Sequence, residues 1–161
     1  MREQLIFLGL SKQVLYMHIN HQFISVSTAK SFELIDITSL LKKCIIESKV
    51  ENGVVSISSQ HTTTALTVNE YESRLLDDIA AFFAQMVPQD APYRHNDIHL
   101  RDCLPDEPKN AHSHLIAMML GNSESVAVAD KELILGTYQS VLLVELDGPR
   151  ERRVSVQIMG E

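Results

Sequence analysis

The sequence predicts a compact single α+β domain in which a mixed, mostly antiparallel sheet packs against helices. Segments typical of strands and of helices intermix along the 161 residues, without the regular β-α-β repeat that builds doubly wound folds. Apolar residues make up 45% of the chain, which is enough for a core at this length. The glycines of the domain stand singly, so no glycine-rich phosphate loop is present. We predict an N-terminal extension, residues 1–21, and one domain, residues 22–161.

The first half of the domain carries four predicted strands and two predicted helices. Alternating or β-branched residues predict strands over 22–28, 32–37, 54–58 and 62–69. A helix that Asp36 or Thr38 caps is predicted next, because four apolar residues are spaced for one face: Leu40, Leu41, Cys44 and Ile45. A second helix over 73–87 has a clear helical period and ends at Pro88, with Asn69 or Ser73 as its cap.

The second half begins with a long polar connection, residues 89–110, which contains three prolines. Long connections of this kind in compact domains are usually functional or disordered. A short helix over 111–120 follows, with Asn110 as its cap and Gly121 as its stop. Four strands are predicted after it, and the last two form a hairpin through DGPRER: 125–129, 133–135, 141–146 and 153–159.

Charge and hydropathy exclude several classes of function. The net charge of −7 argues against a nucleic-acid or anionic-membrane partner, because both require a basic surface. No apolar run reaches the length of a membrane span, and the N-terminus lacks the features of a signal peptide. Cys44 and Cys103 lie far apart, so no disulfide framework is expected. The chain is therefore predicted to be cytoplasmic.

Five histidines suggest a site: His61, His95, His99, His112 and His114. Imidazole can bind a metal ion, transfer a proton near neutral pH or donate to an anion. His112 and His114 are two residues apart and project to different faces of a helix, so any metal ligands must converge from separate elements. For each histidine alone, a local hydrogen bond in the core or at the surface is the alternative. For the set, a functional site is favoured.

Two further groups of polar residues are candidates. Glu70 follows a predicted strand and can serve as a general base or as a partner of a histidine; the alternative is a role at the start of the next helix. Arg150, Arg152 and Arg153 cluster near one turn, and arginine matches phosphate and carboxylate oxygens. Surface pairing with neighbouring carboxylates is the alternative. For Arg150, surface pairing and binding of a phosphate or carboxylate ligand are equally supported. For Arg152 and Arg153, surface pairing is favoured.

In sequence order, five segments resemble the YjbQ-like family, which is also called the secondary thiamine-phosphate synthase family. They are HTTTALTVNE (61–70), YRHND (93–97), NAHSHLIAMMLG (110–121), LILGTYQ (133–139) and ELDGPRERRVSVQIMG (145–160). The similarity covers the chain from about residue 22 to its end. Tyr138 stands where the family more often has tryptophan, and the first residues extend beyond the usual start of the family.

The resemblance implies an α+β homotrimer with a polar cleft near the subunit contacts. It implies these catalytic residues of the cleft: His61, Thr63, Asn69, Glu70, Gln139 and Arg150. It also implies His95, His112 and His114 as ligands of a divalent metal ion, Zn²⁺ or Mg²⁺. The implied activity joins a pyrimidine diphosphate to a thiazole phosphate and releases pyrophosphate. Two alternatives stay open, a metal-dependent hydrolase of a small phosphorylated metabolite and a non-catalytic metabolite-binding module.

Overall fold

Two antiparallel sheets and three helices make up residues 17–161, the part of the chain that the computed structural model describes. In chain order the elements are β1 (His18–Ser27), β2 (Glu33–Asp36), α1 (Thr38–Ser48), β3 (Gly53–Ser59), β4 (Thr64–Asn69), α2 (Ser73–Met86), two 3₁₀ turns (Arg94–Asn96 and Ile98–Leu100), α3 (Ala111–Leu120), β5 (Ser123–Ala129), β6 (Glu132–Leu133), β7 (Ser140–Glu145) and β8 (Glu151–Gly160). The larger sheet has the order β1-β8-β3-β5-β6, and the smaller sheet has the order β2-β7-β4. The predicted α+β class is confirmed, with two sheets in place of one.

The predicted hairpin between the last two strands is wrong. β7 is hydrogen-bonded to β2 along one edge and to β4 along the other. A strand has only two edges, so none is left for β8. β8 lies instead between β1 and β3 in the larger sheet. Residues 146–150 therefore carry the chain from one sheet to the other.

β7 joins the two hydrophobic cores of the domain. Val141 and Leu143 pack in the core formed by α1 and the larger sheet. Leu142 and Val144 point to the opposite face, where the second core contains Phe83 of α2. Successive side chains of a strand point to opposite faces, so a strand between two cores is apolar at every position. This explains the uninterrupted apolar run VLLV.

Glu72 caps helix α2. Its carboxylate accepts hydrogen bonds from the backbone amides of Arg74, at 3.0 Å, and Leu75, at 2.9 Å, which satisfies two of the amides left free at a helix start. Neither Asn69 nor Ser73 is the cap, although both residue types are common in that role.

Helix α3 receives its cap from the long polar connection. Asn110 occupies the cap position, but its side chain makes no cap hydrogen bond. Asn96 accepts from the amide of Ala111 at 3.1 Å. Gly121, with a φ of 89°, ends the helix as predicted. The connection is thus attached to the start of α3 and is ordered against it.

The predicted N-terminal extension lies mostly outside the described residues. β1 begins at His18, so residues 18–21 belong to the larger sheet. Residues 1–16 are not among those that the structure describes. Between residues 17 and 161, no helix has the length and apolar character needed to cross a membrane.

Candidate functional site

An open cleft of about 850 Å³ lies where the start of α3 meets residues 61–63, the polar connection and the turn between β7 and β8. Three histidines and three arginines line it: His61, His95, His114, Arg101, Arg150 and Arg152. Four carboxylates also face it: Asp106, Glu107, Asp147 and Glu151. A chain with a net charge of −7 therefore concentrates cationic and imidazole groups at one place.

His95 and His114 form a ring pair inside the cleft. Their ring centroids are 4.8 Å apart, and the rings meet edge to face at 71°. Burial lowers the pKa of His114, and the positive charges that His95 and Arg101 can carry lower it further. His114 therefore stays neutral near pH 7, where a neutral imidazole can either accept or donate a hydrogen bond.

Arg101 holds His95 in place. Its Nη1 donates to the backbone carbonyl of His95 at 3.0 Å. Both residues belong to the polar connection, so this bond fixes the conformation of the connection between them. Sequence reasoning missed Arg101, because it stands in a segment without periodicity or motif. Asn110 and Asp147 were not selected as site residues either, although Asn110 Nδ2 donates to Asp147 Oδ2 at 2.9 Å beside the cleft.

His112 does not join the other two predicted metal ligands. It lines a separate cavity on the other side of α3, because side chains two residues apart on a helix point roughly 200° from each other. Burial lowers the pKa of His112. Among residues 17–161, no group of three or more His, Cys, Asp or Glu side chains is arranged to hold a metal ion. The predicted set of His95, His112 and His114 does not form.

His61 enters the cleft wall from the residues between β3 and β4. Its Nε2 accepts a hydrogen bond from the backbone amide of Arg153 at 2.8 Å. Burial lowers the pKa of His61, and the positive charge of Arg152 lowers it further. A neutral ring is the form that can accept from an amide, so the hydrogen bond and the lowered pKa agree.

A buried ion pair forms the floor of the cleft. Arg152 is 4% exposed and Glu145 is 0% exposed. Arg152 Nε donates to Glu145 Oε2 at 2.6 Å, and Nη2 donates to Oε1 at 2.5 Å. Nη2 also donates to Thr63 Oγ1 at 3.1 Å. The surface pairing favoured for Arg152 is therefore wrong: residue 152 alternates inward with Val154 and Val156 along β8.

The Glu145 carboxylate is fully supplied with donors. Thr28 Oγ1 donates to it at 3.0 Å, and the backbone amides of Leu146 and Asp147 donate at 2.9 and 2.8 Å. Burial by itself raises the pKa of Glu145, but the hydrogen bonds from Arg152 and the Asp147 amide outweigh it and lower the pKa. The Glu145 carboxylate is thus ionised opposite the Arg152 guanidinium.

Arg150 lies at the rim of the cleft. Its Nε donates to the backbone carbonyl of Asp147 at 2.8 Å, and its Nη2 lies 3.1 Å from Asp147 Oδ2. The predicted pairing with a neighbouring carboxylate is present, and it holds the guanidinium at the cleft. Pairing with a neighbouring carboxylate and binding of an anionic ligand, the two interpretations considered for Arg150, are therefore compatible.

Three of the predicted site residues lie away from this cleft in the single chain: Asn69, Glu70 and Gln139. Thr63 immediately precedes β4 and Asn69 ends it, so the two lie roughly 20 Å apart at the rise of a strand. Asn69 accepts from the amide of Glu70 at 2.8 Å, and Glu70 follows it in the chain. Gln139 accepts from the amide of Gly136 at 2.7 Å and precedes Ser140, the residue that pairs with Asn69.

Comparison with known proteins places the chain in a family. The sequence model of the UPF0047 protein YjbQ-like family matches residues 22–161. The chain belongs to the UPF0047 (YjbQ-like) family. A UPF0047 protein of Methanothermobacter thermautotrophicus is 41% identical over 146 residues, which are 91% of this chain and 96% of the relative. A UPF0047 protein of Archaeoglobus fulgidus is 42% identical over 136 residues, 84% of this chain and 98% of the relative.

Solved structures of YjbQ-like proteins share the fold. A YbjQ-like protein of unknown function from Sulfolobus solfataricus superposes with a TM-score of 0.81 at 37% identity, covering 91% of this chain and all of the other. A hypothetical protein from Aeropyrum pernix superposes with a TM-score of 0.80 at 33% identity, covering 88% and 99%. The predicted family and fold are both confirmed.

The predicted thiamine-phosphate synthase activity is wrong. The curated relatives carry only the name UPF0047 protein, and the Sulfolobus protein is described as having unknown function. No specific activity is attached to the UPF0047 name, so the resemblance supports membership of the family and its fold, but no reaction.

Proposed function

We propose that the cleft binds a small phosphorylated metabolite, with arginines around the phosphate and the His95–His114 pair beside it. The observation that carries the proposal is the convergence of three arginines and three histidines on one open cleft. Guanidinium groups match phosphate oxygens in geometry and charge. A neutral imidazole next to a phosphate can donate a hydrogen bond or move a proton.

Arg152 is the strongest single support. Its Nε and Nη2 are used by Glu145 and Thr63. Its Nη1 has no hydrogen-bond partner among residues 17–161, and Arg152 lines the cleft. A buried guanidinium that is already held rigidly loses little side-chain entropy when it donates to a ligand. Such a preorganised donor suits an anion.

The carboxylates of the cleft narrow the class of ligand. Asp147 is already engaged by Arg150 and Asn110, whereas Asp106 and Glu107 lie on exposed parts of the polar connection. Free carboxylates next to a phosphate favour a ligand that also carries hydrogen-bond donors. A phosphorylated compound with hydroxyl or amino groups meets both requirements.

Glycerol 3-phosphate and glycerol are matched probes for this proposal. We expect calorimetric titration to show binding of glycerol 3-phosphate and none of glycerol. We expect Arg101→Gln to weaken that binding about tenfold, since a hydrogen bond to a charged group contributes about 1.5 kcal/mol or more. Arg74→Gln, on the exposed face of α2, is the matched control and should bind normally. Equal affinity for both probes, or no loss in Arg101→Gln, would contradict the proposal.

The divalent metal, Zn²⁺ or Mg²⁺, and the cytoplasmic location stay predictions. His95 and His114 supply two imidazoles, one fewer than the three protein ligands of catalytic zinc sites. No step of the proposed binding depends on a metal ion.

We also propose that the chain assembles as a homotrimer, as the family resemblance implies. Exposed apolar side chains on α3 support an assembly: Leu115, Met118 and Met119 are 41%, 83% and 55% exposed. In an assembly, Asn69, Glu70 and Gln139 of one subunit can approach the cleft of another. We expect sedimentation equilibrium to give three times the chain mass, and Met118→Asp to lower it. A monomer at micromolar concentration would contradict this assembly.

A further inference from the structure

The apolar face of helix α2 is only partly covered by the rest of the domain. Six apolar side chains recur along this face at helical spacing: Leu75, Leu76, Ile79, Phe82, Phe83 and Met86. Phe83 is the one buried residue of the helix, whereas Phe82 and Met86 are 52% and 48% exposed. An amphipathic helix normally packs such a stripe against a core. A further apolar segment is therefore expected to cover this face of α2.

A groove of about 380 Å³ lies between α2 and the face of the smaller sheet that carries Leu34 and Val144. It is called here the α2 groove. Its walls are mostly apolar and include six side chains: Leu34, Leu75, Ile79, Phe82, Leu120 and Val144. Asp78 also lines it and forms no ion pair within residues 17–161. The groove thus suits an apolar occupant with a positive charge at one end.

Residues 5–10 of this chain, LIFLGL, have the chemistry that the groove requires. Five of these six side chains are large and apolar, and their transfer out of water is favourable. Lys12 follows the run by two residues and Arg2 precedes it by three, so a cation stands near either end. The charge of Lys12 is opposite to that of the Asp78 carboxylate.

The chain is long enough for residues 5–10 to reach the groove. The described part of the chain begins at Met17, one residue before β1. Residues 5–16 span up to roughly 40 Å when fully extended, whereas a domain of this size has a radius of gyration of roughly 15 Å. The tether also gives the segment an effective concentration on the order of millimolar, so a modest affinity is sufficient.

We propose that residues 5–10 dock in the α2 groove of the same chain, with Lys12 against Asp78. The segment then covers the exposed ring of Phe82 and completes the apolar packing of the helix. None of the residues that line the α2 groove lines the phosphate-binding cleft. The proposal therefore stands or fails independently of the proposed function.

Methyl NMR of the full chain tests where the segment lies. We expect Phe7→Ser to shift the resonance of the Ile79 δ1 methyl group, because an aromatic ring displaces the resonances of methyl groups packed near it. Gln4→Ser, a polar change outside the apolar run, is the matched control and should leave Ile79 unchanged. Ile46, which is 64% exposed on α1, is the internal reference. An unmoved Ile79 resonance in Phe7→Ser, or an equal shift in Gln4→Ser, would overturn the proposal.

Trypsin cleavage after Lys12 tests the charge contact, because the rate follows the undocked fraction. We expect Asp78→Lys to release residues 3–12 about threefold faster than wild type, the size expected for an exposed ion pair. Phe7→Ser should release them about tenfold faster. Asp77→Lys, at an exposed position of α2 outside the groove, is the matched control. Equal rates in Asp78→Lys and Asp77→Lys would overturn the proposal. A wild-type rate that rises on dilution would assign the segment to another copy and would also overturn it.

Discussion

Replacing Arg152 by methionine is expected to lower the free energy of unfolding by about 3–5 kcal/mol. The substitution leaves the Glu145 carboxylate, which is 0% exposed, without its cationic partner. Removing one member of a buried pair strands a charge that water cannot reach, and this cost exceeds the net contribution of the intact pair. Urea denaturation followed by circular dichroism measures the change.

Arg153→Met is the matched control for this variant. Arg153 is the next residue of β8, is exposed, and packs its guanidinium 3.5 Å from the centre of the Phe23 ring. We expect it to cost less than about 1 kcal/mol, the size of an exposed cation–π contact. Similar losses in the two variants would show that the Arg152–Glu145 pair has no special role.

Acidification should reduce the difference in the free energy of unfolding between wild type and Arg152→Met. The folded-state pKa of Glu145 lies below its ordinary value in the wild type. Its contribution to stability is therefore fully present above the ordinary pKa of about 4.3 and is lost as the pH falls through the folded-state pKa. In the variant, burial without Arg152 raises the pKa, so protonation relieves the stranded charge. If the difference in unfolding free energy stays constant from pH 7 to pH 4, the stability does not come from the charged Arg152–Glu145 pair.

Gly148→Ala is expected to cost about 3 kcal/mol and to weaken binding of glycerol 3-phosphate. A Cβ at this position would collide with the backbone carbonyl of Lys30 and would lie 2.8 Å from both Glu145 Cγ and Thr28 Oγ1. These atoms support the buried ion pair, and the turn that must move carries Asp147 and Arg150. Urea denaturation and calorimetric titration of one preparation measure both effects.

Gly136→Ala is the control for the loss of a glycine. The nearest atoms that its Cβ meets belong to the Gln139 side chain, at 3.3 Å, and this flexible side chain needs to shift by only a few tenths of an ångström. A change within about 0.5 kcal/mol is expected. If Gly148→Ala were equally mild, the close approach of the turn to residues 28–30 would not be a constraint on the fold.

The candidate site was predicted in part. Five of the candidate residues line one cleft: His61, Thr63, His95, His114 and Arg150. His112 does not line this cleft. It lies two residues before His114 on α3, so its side chain points to the other side of the helix. Asn69 and Glu70 lie at the far end of β4. A motif records the order of residues, and the direction of each side chain depends on the element that carries it.

By itself, the sequence determined the family, the α+β class and most of the elements, because periodicity and turn residues act within a few positions of the chain. The tertiary structure alone decided that β7 and β8 belong to different sheets, that Arg152 is buried against Glu145, and that His112 lines its own cavity. Each of these depends on which strand edges and helix faces meet, and such meetings join residues far apart in the chain. Local patterns predict a buried face, but they do not specify its partner.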